Sequence, residues 1–518
     1  MYISESQSAD YSNDVYDCVI IGSGIVGLYL ASCSAFKNLK IAVIPGGPAK
    51  ERDSNLSQSG ISNEEISEQF HVSRPWVLGG SSAIWGGRFR EFDQWDVEGR
   101  SHLGLNSWPI DWKTMLTLYE NVFLELGLNG VKESLDLPEL GELSTHLDFT
   151  GREFWLNDKD FLSIADSKIR VNRNIRIFEN FAYLKTLRMN PSNASFQILC
   201  VDQKRSTLEL KSSNIVFASG AVENSRHLLN FQSAHQSALG SVNKLLGQSL
   251  MVHLLTKFPH IKQPSQVSFE FERIQKLNYK RTIQLRSDFQ VRYGLANSLG
   301  TFSPIEANLL NLLDLTNSGA RILKRYGRNF PKELYLRRKD LKRILKHQVV
   351  SRNQNVSRNL EDKGNAILSI WGEQLPSLSN KVTISPQKDP HGINKANVQV
   401  SLGEFELHSL ALTASLFELF LGNSGESDPG VFYKRNRELV EESLQDGPLW
   451  GHQIGGTQMG VSNKDGVVNI YGESFDYPGV FVCGTSVFPS GSHAAPTLTA
   501  LALAQNTALK ISQRITNS

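Results

Sequence analysis

At 518 residues the chain is longer than a single hydrophobic core usually serves, which points to two interleaved or consecutive domains. Its 40% hydrophobic and 20% charged residues exclude a disordered or fibrous protein, and a formal net charge of +2 gives no reason to expect a nucleic-acid partner. No apolar run approaches the roughly 18 residues of a membrane span, so no transmembrane segment is expected.

Residues 1–14, MYISESQSADYSND, lack a basic and an apolar signal region and read as a short disordered tail. The first ordered element is VYDCVIIGSGIVGLYLASCSAF, where an apolar run from Tyr16 to Ile21 gives way to a helical pattern after the glycines. Gly22-Ser23-Gly24-Ile25-Val26-Gly27 therefore sits between a strand and a helix. In that context a GxGxxG pattern lets the backbone approach a pyrophosphate at a helix N-terminus, so Gly22, Gly24, Ile25, Val26 and Gly27 are candidate dinucleotide contacts. An acidic residue for the ribose belongs at the end of the second strand, but KIAVIPGGP has Pro45 there.

Residues 51–70 are polar and read as a loop or lid, followed by LGGSSAIWGG from Leu78 to Gly87. From Asn174 to Phe217 the chain reads as successive short strands ending in NIVFASGAVENSRHLLN, again strand, turn and helix. Residues 256–445 are more polar and mixed, with strand-like pieces broken by prolines and one clear helix, ELHSLALTASLFELFLGNSG, that stops at Gly422. The basic run 321–348 holds eleven Lys and Arg against two acidic residues, a solvated amphipathic face or a docking surface for something anionic. Cys18, Cys33, Cys200 and Cys483 form no CxxC pair and three lie in apolar runs, as free thiols of a reducing, cytoplasmic compartment do.

The last 70 residues carry GHQIGGTQMG, GVFVCGTSVF and GSHAAPTLTALALAQN. With these segments the chain resembles the glucose–methanol–choline (GMC) flavoprotein oxidoreductases. His452 to Gly460 matches that family's H-x-x-G segment, and Gly484 to Thr499 matches its closing strand, turn and helix start. Leu78 to Gly87, Ala218 to Arg226, Leu246 to His253 and Gly466-Val467-Val468 resemble further family segments in the same order. The likeness covers about 16–255 and 445–518, and SAIWGG with Trp108-Pro109-Ile110 is nearest the sugar-oxidising branch.

The resemblance implies an α/β protein (α+β overall) of FAD-PHBH-like architecture: a Rossmann-like FAD-binding domain in discontinuous segments, 15–100, 165–255 and 446–518. A substrate-binding domain with a mixed or antiparallel sheet and helices, 101–164 and 256–445, is inserted into it. It also implies FAD contacts at Gly79, Gly80, Ser81, Ser82, Trp85, Gly86, Gly87, Ala182, Ser219, Gly220, Asn224, Gly484, Thr485, Ala495, Pro496 and Thr497. Some relatives tether the flavin through a histidine where this chain has Ile84, so the FAD is expected to be noncovalent. His452 takes the place of the family's general base, which removes the hydroxyl proton while hydride moves to flavin N5. His253 takes a structural place, and Trp450 and Trp85 either line a sugar site or pack.

The family's second catalytic residue precedes the proline of the last helix, where this chain has Ala495. His493, two residues earlier, either faces the site from one step back or packs at the helix entrance. The expected activity is oxidation of a CH–OH group on a sugar-like or other alcohol substrate, with a quinone, cytochrome or oxygen as electron acceptor. The alternative is an FAD-binding relative without alcohol oxidation: a lyase, an isomerase or a binding subunit. No metal is expected.

Overall fold

A computed structural model describes all of the chain except residues 48–59, 64–65, 67–69, 71–72, 129–144, 157–160, 191–194, 240–242, 265–266, 275–276, 305–365, 423–425, 446–451 and 518. The basic run 321–348, Trp450 and most of the 51–70 stretch lie outside the described residues.

The apolar run before the first glycines forms β2 (Cys18–Ile21), every residue of which is buried. Full burial on both faces suits a central parallel strand. It lies in a six-stranded sheet with β1 (Tyr2–Ile3), β3 (Ile41–Ile44), β4 (Ile175–Phe178), β5 (Ile215–Phe217) and β6 (Val480–Val482). The spatial order is β1-β4-β3-β2-β5-β6, and every pairing is parallel. From β2 the chain passes through α1 (Ile25–Ser32) to β3 on one side, while β5 borders β2 on the other. The strand order therefore reverses at β2, and a crevice opens beyond its carboxyl end.

The first residues depart from the expected disordered tail. Tyr2 and Ile3 pair with Ile177 and Phe178 as the sheet edge, and Ile3 is buried. Contacts distant in sequence hold it: the Tyr2 hydroxyl donates to Asp166 Oδ1 at 2.6 Å, and Tyr11 sets its ring edge-on to Phe178.

Beside the parallel sheet, Leu254–Phe258, Ala366–Gly372 and Ser298–Pro304 form an antiparallel sheet around the middle strand. The helices Glu404–Phe420 and Gly430–Gln445 pack together over it and help enclose a second apolar core. Gly422 lies at φ +69° just past the first of these helices. A four-stranded sheet runs Glu272–Ile274, Leu277–Arg281, Arg152–Leu156, Arg88–Phe89. The helix Trp112–Glu125 falls within the stretch read as inserted, yet its face of Met115, Leu118, Tyr119 and Val122 is buried in the core of the parallel sheet. It packs there against the last helix, Thr497–Thr516, because its apolar stripe matches that helix's buried alanine and leucine face. All four cysteines are free and buried, and no helix among the described residues is long and apolar enough to cross a membrane.

Candidate active site

The crevice is a cavity of about 670 Å³ that runs from the glycine turn after β2 to His452. Its size falls in the ~300–1,000 Å³ range of small-molecule and cofactor sites. The three glycines of the first turn do three different jobs. Gly22 has φ +110°, and a Cβ there would lie 2.5 Å from the Ala218 carbonyl oxygen, so the turn closes only on glycine. Gly27 brings α1 against the strand end, where a Cβ would lie 2.0 Å from the Gly22 oxygen. Gly24 is the opposite case: a Cβ there meets no protein atom within 4 Å and projects into free space. Ser23 lines the same wall with its hydroxyl buried and without a hydrogen-bond partner. A bare backbone, an unused hydroxyl and a helix N-terminus facing one cavity suit a pyrophosphate.

The second glycine segment closes over the first. Gly79 donates to the Ser23 carbonyl at 3.0 Å, and a Cβ on Gly80 would come within 2.9 Å of the Gly24 Cα. Gly80, Ser81, Ile84 and Trp85 then line the cavity, with Ala182, Ser219, Gly220, Gly484, Thr485, Pro496 and Thr497 along the remaining walls. Gly27, Gly79, Ser82, Gly86, Gly87, Asn224 and Ala495 do not line it. Asn224 shows why: its amide accepts from the Ser219 N–H at 2.7 Å and donates to the Cys483 carbonyl at 2.9 Å, which ties β5 to β6 beneath the floor. Gly87 lends its carbonyl to Leu156, and Ser82 bonds back to Gly79.

Pro45 lies in the wall, as the sequence indicates, and among the described residues no carboxylate lines the cavity at that strand end. The wall instead includes an ion cluster that the composition does not announce. Arg74 and Arg226 both pair with the buried Glu223, and Arg226 also reaches Asp389 at 2.9 Å. Trp76 stacks on His391 with centroids 6.0 Å apart, beneath the Arg226 guanidinium. These residues come from three separate segments, so the only sequence trace was the Glu-x-x-Arg at 223–226.

At the far end His452 lines the cavity. Its backbone is left-handed, φ +59°, an uncommon state for a residue other than glycine. Met251 and Ile454 form an antiparallel bridge, each donating to the other's carbonyl. Two residues outward on each strand, an antiparallel pair places 253 opposite 452 on one face. Accordingly His253 Nδ1 and His452 Nδ1 lie 3.0 Å apart, with the rings edge to face. Trp371 stacks on the other side of His452 at 5.9 Å, and Arg88 covers Trp371 at 4.2 Å while it bonds Glu153. Burial, then the Arg88 cation, brings the His452 pKa down to about 4, so the ring is neutral at pH 7.

His493 does not meet His452 over the cavity. It is buried outside the lining, 3.3 Å from Gln284 Nε2 and from Ser492 Oγ, and 3.7 Å from Asp93. Around it Asp93, Asp96 and Glu373 face Arg90 and Arg100, and Asn297 bridges the two aspartates. Its turn is held by Ser492 Oγ, which donates to Asp96 and accepts from the Ala494 N–H. The i, i+2 alternation of an extended strand does not apply to such a turn, and so His493 points away. The side chain hydrogen-bonded to His452 is His253, to which the family resemblance assigned a structural place.

Residues 376–504 match the family model described as GMC oxidoreductase. Among curated proteins, the chain is 39% identical over 97 residues to a long-chain-alcohol oxidase of Arabidopsis thaliana, covering 16% of this chain and 12% of that protein. It is 29% identical over 156 residues to a 2-methyl-1,2-propanediol dehydrogenase of Mycolicibacterium austroafricanum, covering 29% of this chain and 25% of that protein. The matches thus span a quarter or less of those relatives' length. Among solved structures, formate oxidase of Aspergillus oryzae RIB40 superposes with a TM-score of 0.55 at 12% identity, covering 98% of this chain and 99% of that one. At that identity the likeness is one of fold.

Proposed function

We propose that this chain, whose residues 376–504 are a GMC oxidoreductase segment, is an FAD-dependent oxidoreductase that acts on the CH–OH group of an alcohol, with a sugar-like alcohol as the preferred class. The observation that carries the reading is the continuity of the cavity from a glycine cradle to a neutral imidazole. Gly24 leaves room for a pyrophosphate at one end, and His452 stands at the other. The cradle, the free Ser23 hydroxyl and the N-terminus of the last helix fit FAD, and Ile84 offers no nucleophilic atom for a tether.

FAD, when bound, supplies the acceptor for the two electrons and the hydrogen of the C–H bond. The chain's own part is proton chemistry and positioning. With Nδ1 engaged by His253, Nε2 is the nitrogen His452 has left for the substrate hydroxyl. Taking the O–H proton there turns a neutral alcohol into a hydride donor. Trp85 gives a flat apolar face in the cavity wall, the kind of surface against which carbohydrate C–H groups pack.

The test is direct. The purified protein is expected to carry noncovalent FAD, which alcohols bleach anaerobically, and His452→Ala is expected to slow that step about 10²–10⁴-fold. Failure of every sugar and alcohol to bleach the flavin, with His452→Ala indistinguishable from wild type, would sink the reading. Peroxide release compared with dye reduction assigns the electron acceptor.

A further inference from the structure

We infer that Arg74, not a strand-end carboxylate, holds the adenosine ribose of the dinucleotide, with His391 completing the ribose site. This rests on the reading of the cavity as an FAD site. In a parallel sheet of this kind the pyrophosphate lies at the first glycine turn, and the ribose lies beside it at the end of the neighbouring strand. That strand is β3, and its end carries Pro45, whose side chain offers no polar atom. The segment 74–76 reaches the same end: a Cβ on Gly47 would lie 2.4 Å from the Trp76 carbonyl oxygen. Arg74 lines the cavity with its side chain only 9% exposed, and among the described residues its Nη1 has no hydrogen-bond partner. His391 also lines the cavity, is fully buried, and has neither ring nitrogen hydrogen-bonded. Buried polar atoms are seldom left unpaired, and three of them at one cavity wall call for a polar ligand.

The two side chains match a vicinal diol. Each ribose hydroxyl gives one hydrogen and accepts others, so a diol wants both a donor and an acceptor. The guanidinium supplies a fixed donor, and an uncharged imidazole supplies one N–H and one bare nitrogen. Glu223 is already committed: Arg74 takes its Oε1, and Nε and Nη2 of Arg226 take its Oε2 at 2.8 and 2.7 Å. It serves Arg74 instead, because Asp389 holds Arg226 at 2.9 Å, Arg226 holds Glu223, and Glu223 fixes the guanidinium. Trp76 fixes the other half by stacking on His391 with the rings 22° from parallel. The charges cancel, Arg74 and Arg226 against Glu223 and Asp389, and burial holds the His391 pKa below its ordinary value, so that ring is neutral at pH 7. A neutral diol suits this balance, whereas a phosphate on the ribose would bring a charge of about −1.5 to −2 with nothing left to offset it.

The measurement is the affinity of the flavin-free full chain for FAD and for FAD lacking the 2′- or the 3′-hydroxyl of the adenosine ribose, read from flavin fluorescence on titration. At least one deoxy analogue is expected to bind wild type about tenfold more weakly than FAD, since it leaves a buried donor unpaired. Arg74→Met is expected to weaken FAD by about tenfold and that analogue hardly at all, because the bond it removes is already missing there. Arg74→Lys keeps a charge beside Glu223 without the Nη1 arm, and gives the same pattern should Arg74→Met prove unfolded in a thermal melt. His391→Phe, which retains the stack on Trp76, is expected to weaken FAD as well. Equal affinity of wild type for FAD and both deoxy analogues, or a parallel loss for all three ligands in the Arg74 variants, overturns the inference and leaves Arg74 as a structural partner of Glu223. Tighter binding of FAD bearing a 2′-phosphate overturns it too, because the wall would then be an anion site. These affinities are read whether or not any alcohol bleaches the flavin, so a failed oxidation counts against the assigned reaction alone, while absence of FAD binding by wild type removes both.

Discussion

Glycine is present at Gly22, Gly24 and Gly27 for unlike reasons, and substitution separates them. Gly24 has an ordinary extended backbone, φ −67°, and open space where a Cβ would go. Gly24→Ala is therefore expected to leave the melting temperature of the flavin-free protein unchanged while weakening FAD binding about tenfold or more, because the methyl enters the cavity. Gly27→Ala drives a Cβ into the Gly22 carbonyl and is expected to lower the stability of the flavin-free protein itself. Thermal melts with and without added FAD distinguish the two. The environment of His452 makes a third prediction at this scale. With its pKa at about 4, the base is protonated and lost only below that pH. The rate of flavin reduction is expected to hold level from about pH 5 to 8 and to fall near 4. A limb near 6.5, the value of an unburied imidazole, would contradict it.

The elements show where the sequence was legible and where it was not. β2, its glycine turn and α1 are written in consecutive residues, so the strand-to-helix switch could be read directly. So could the helix ending before Gly422 and the strands between 174 and 217. β1 could not, because a strand of two residues shows no periodicity; its partner, β4, lies over 170 residues away. Nor could the surroundings of His452. His253, Trp371 and Arg88 arrive from three separate strands or strand ends, and only the 251–454 bridge and the sheets behind it bring them to one ring. His493 was the nearer candidate in sequence, but distance along a chain measures little where a turn intervenes. The edge strand carries its own prediction. Ile3→Ala is expected to cost about 2–3 kcal/mol in denaturant unfolding, since the side chain is buried in the sheet edge. A loss under about half a kilocalorie would mean that β1 merely rests there.

For the molecule as a whole, buried neutral imidazoles tie folding to pH. Burial brings His227 and His452 down to about 4 and His493 to about 3, and holds His253 well below the ordinary value. As pH falls through 6.5 the unfolded chain takes up these protons and the native chain does not, so stability declines from there toward the folded values. Each imidazole contributes a slope on the order of 1 kcal/mol per pH unit. Asp96 works the other way: burial, only partly offset by Arg100, pushes it up to about 7, and its stabilising share is complete below 3.8 and lost as pH rises to 7. Four imidazoles against one carboxyl leave a net loss, so the urea midpoint is expected to be lower at pH 5 than at pH 7. An unchanged midpoint would show that these rings are hydrated in solution.

The topology also fixes an order of events during synthesis. The glycine cradle lies within the first 27 residues, but the facing walls come from 218–221 and from 484–500. At a translation rate of about 5–20 residues per second, the cradle waits on the order of a minute for the segment that completes the cavity. During that interval β2 lacks its neighbour β5, and then β5 lacks β6, so bare parallel edges await their partners. In the proposed reading the flavin is thus a late arrival, captured only once residues 484–500 have been made, rather than a template for the first glycine turn.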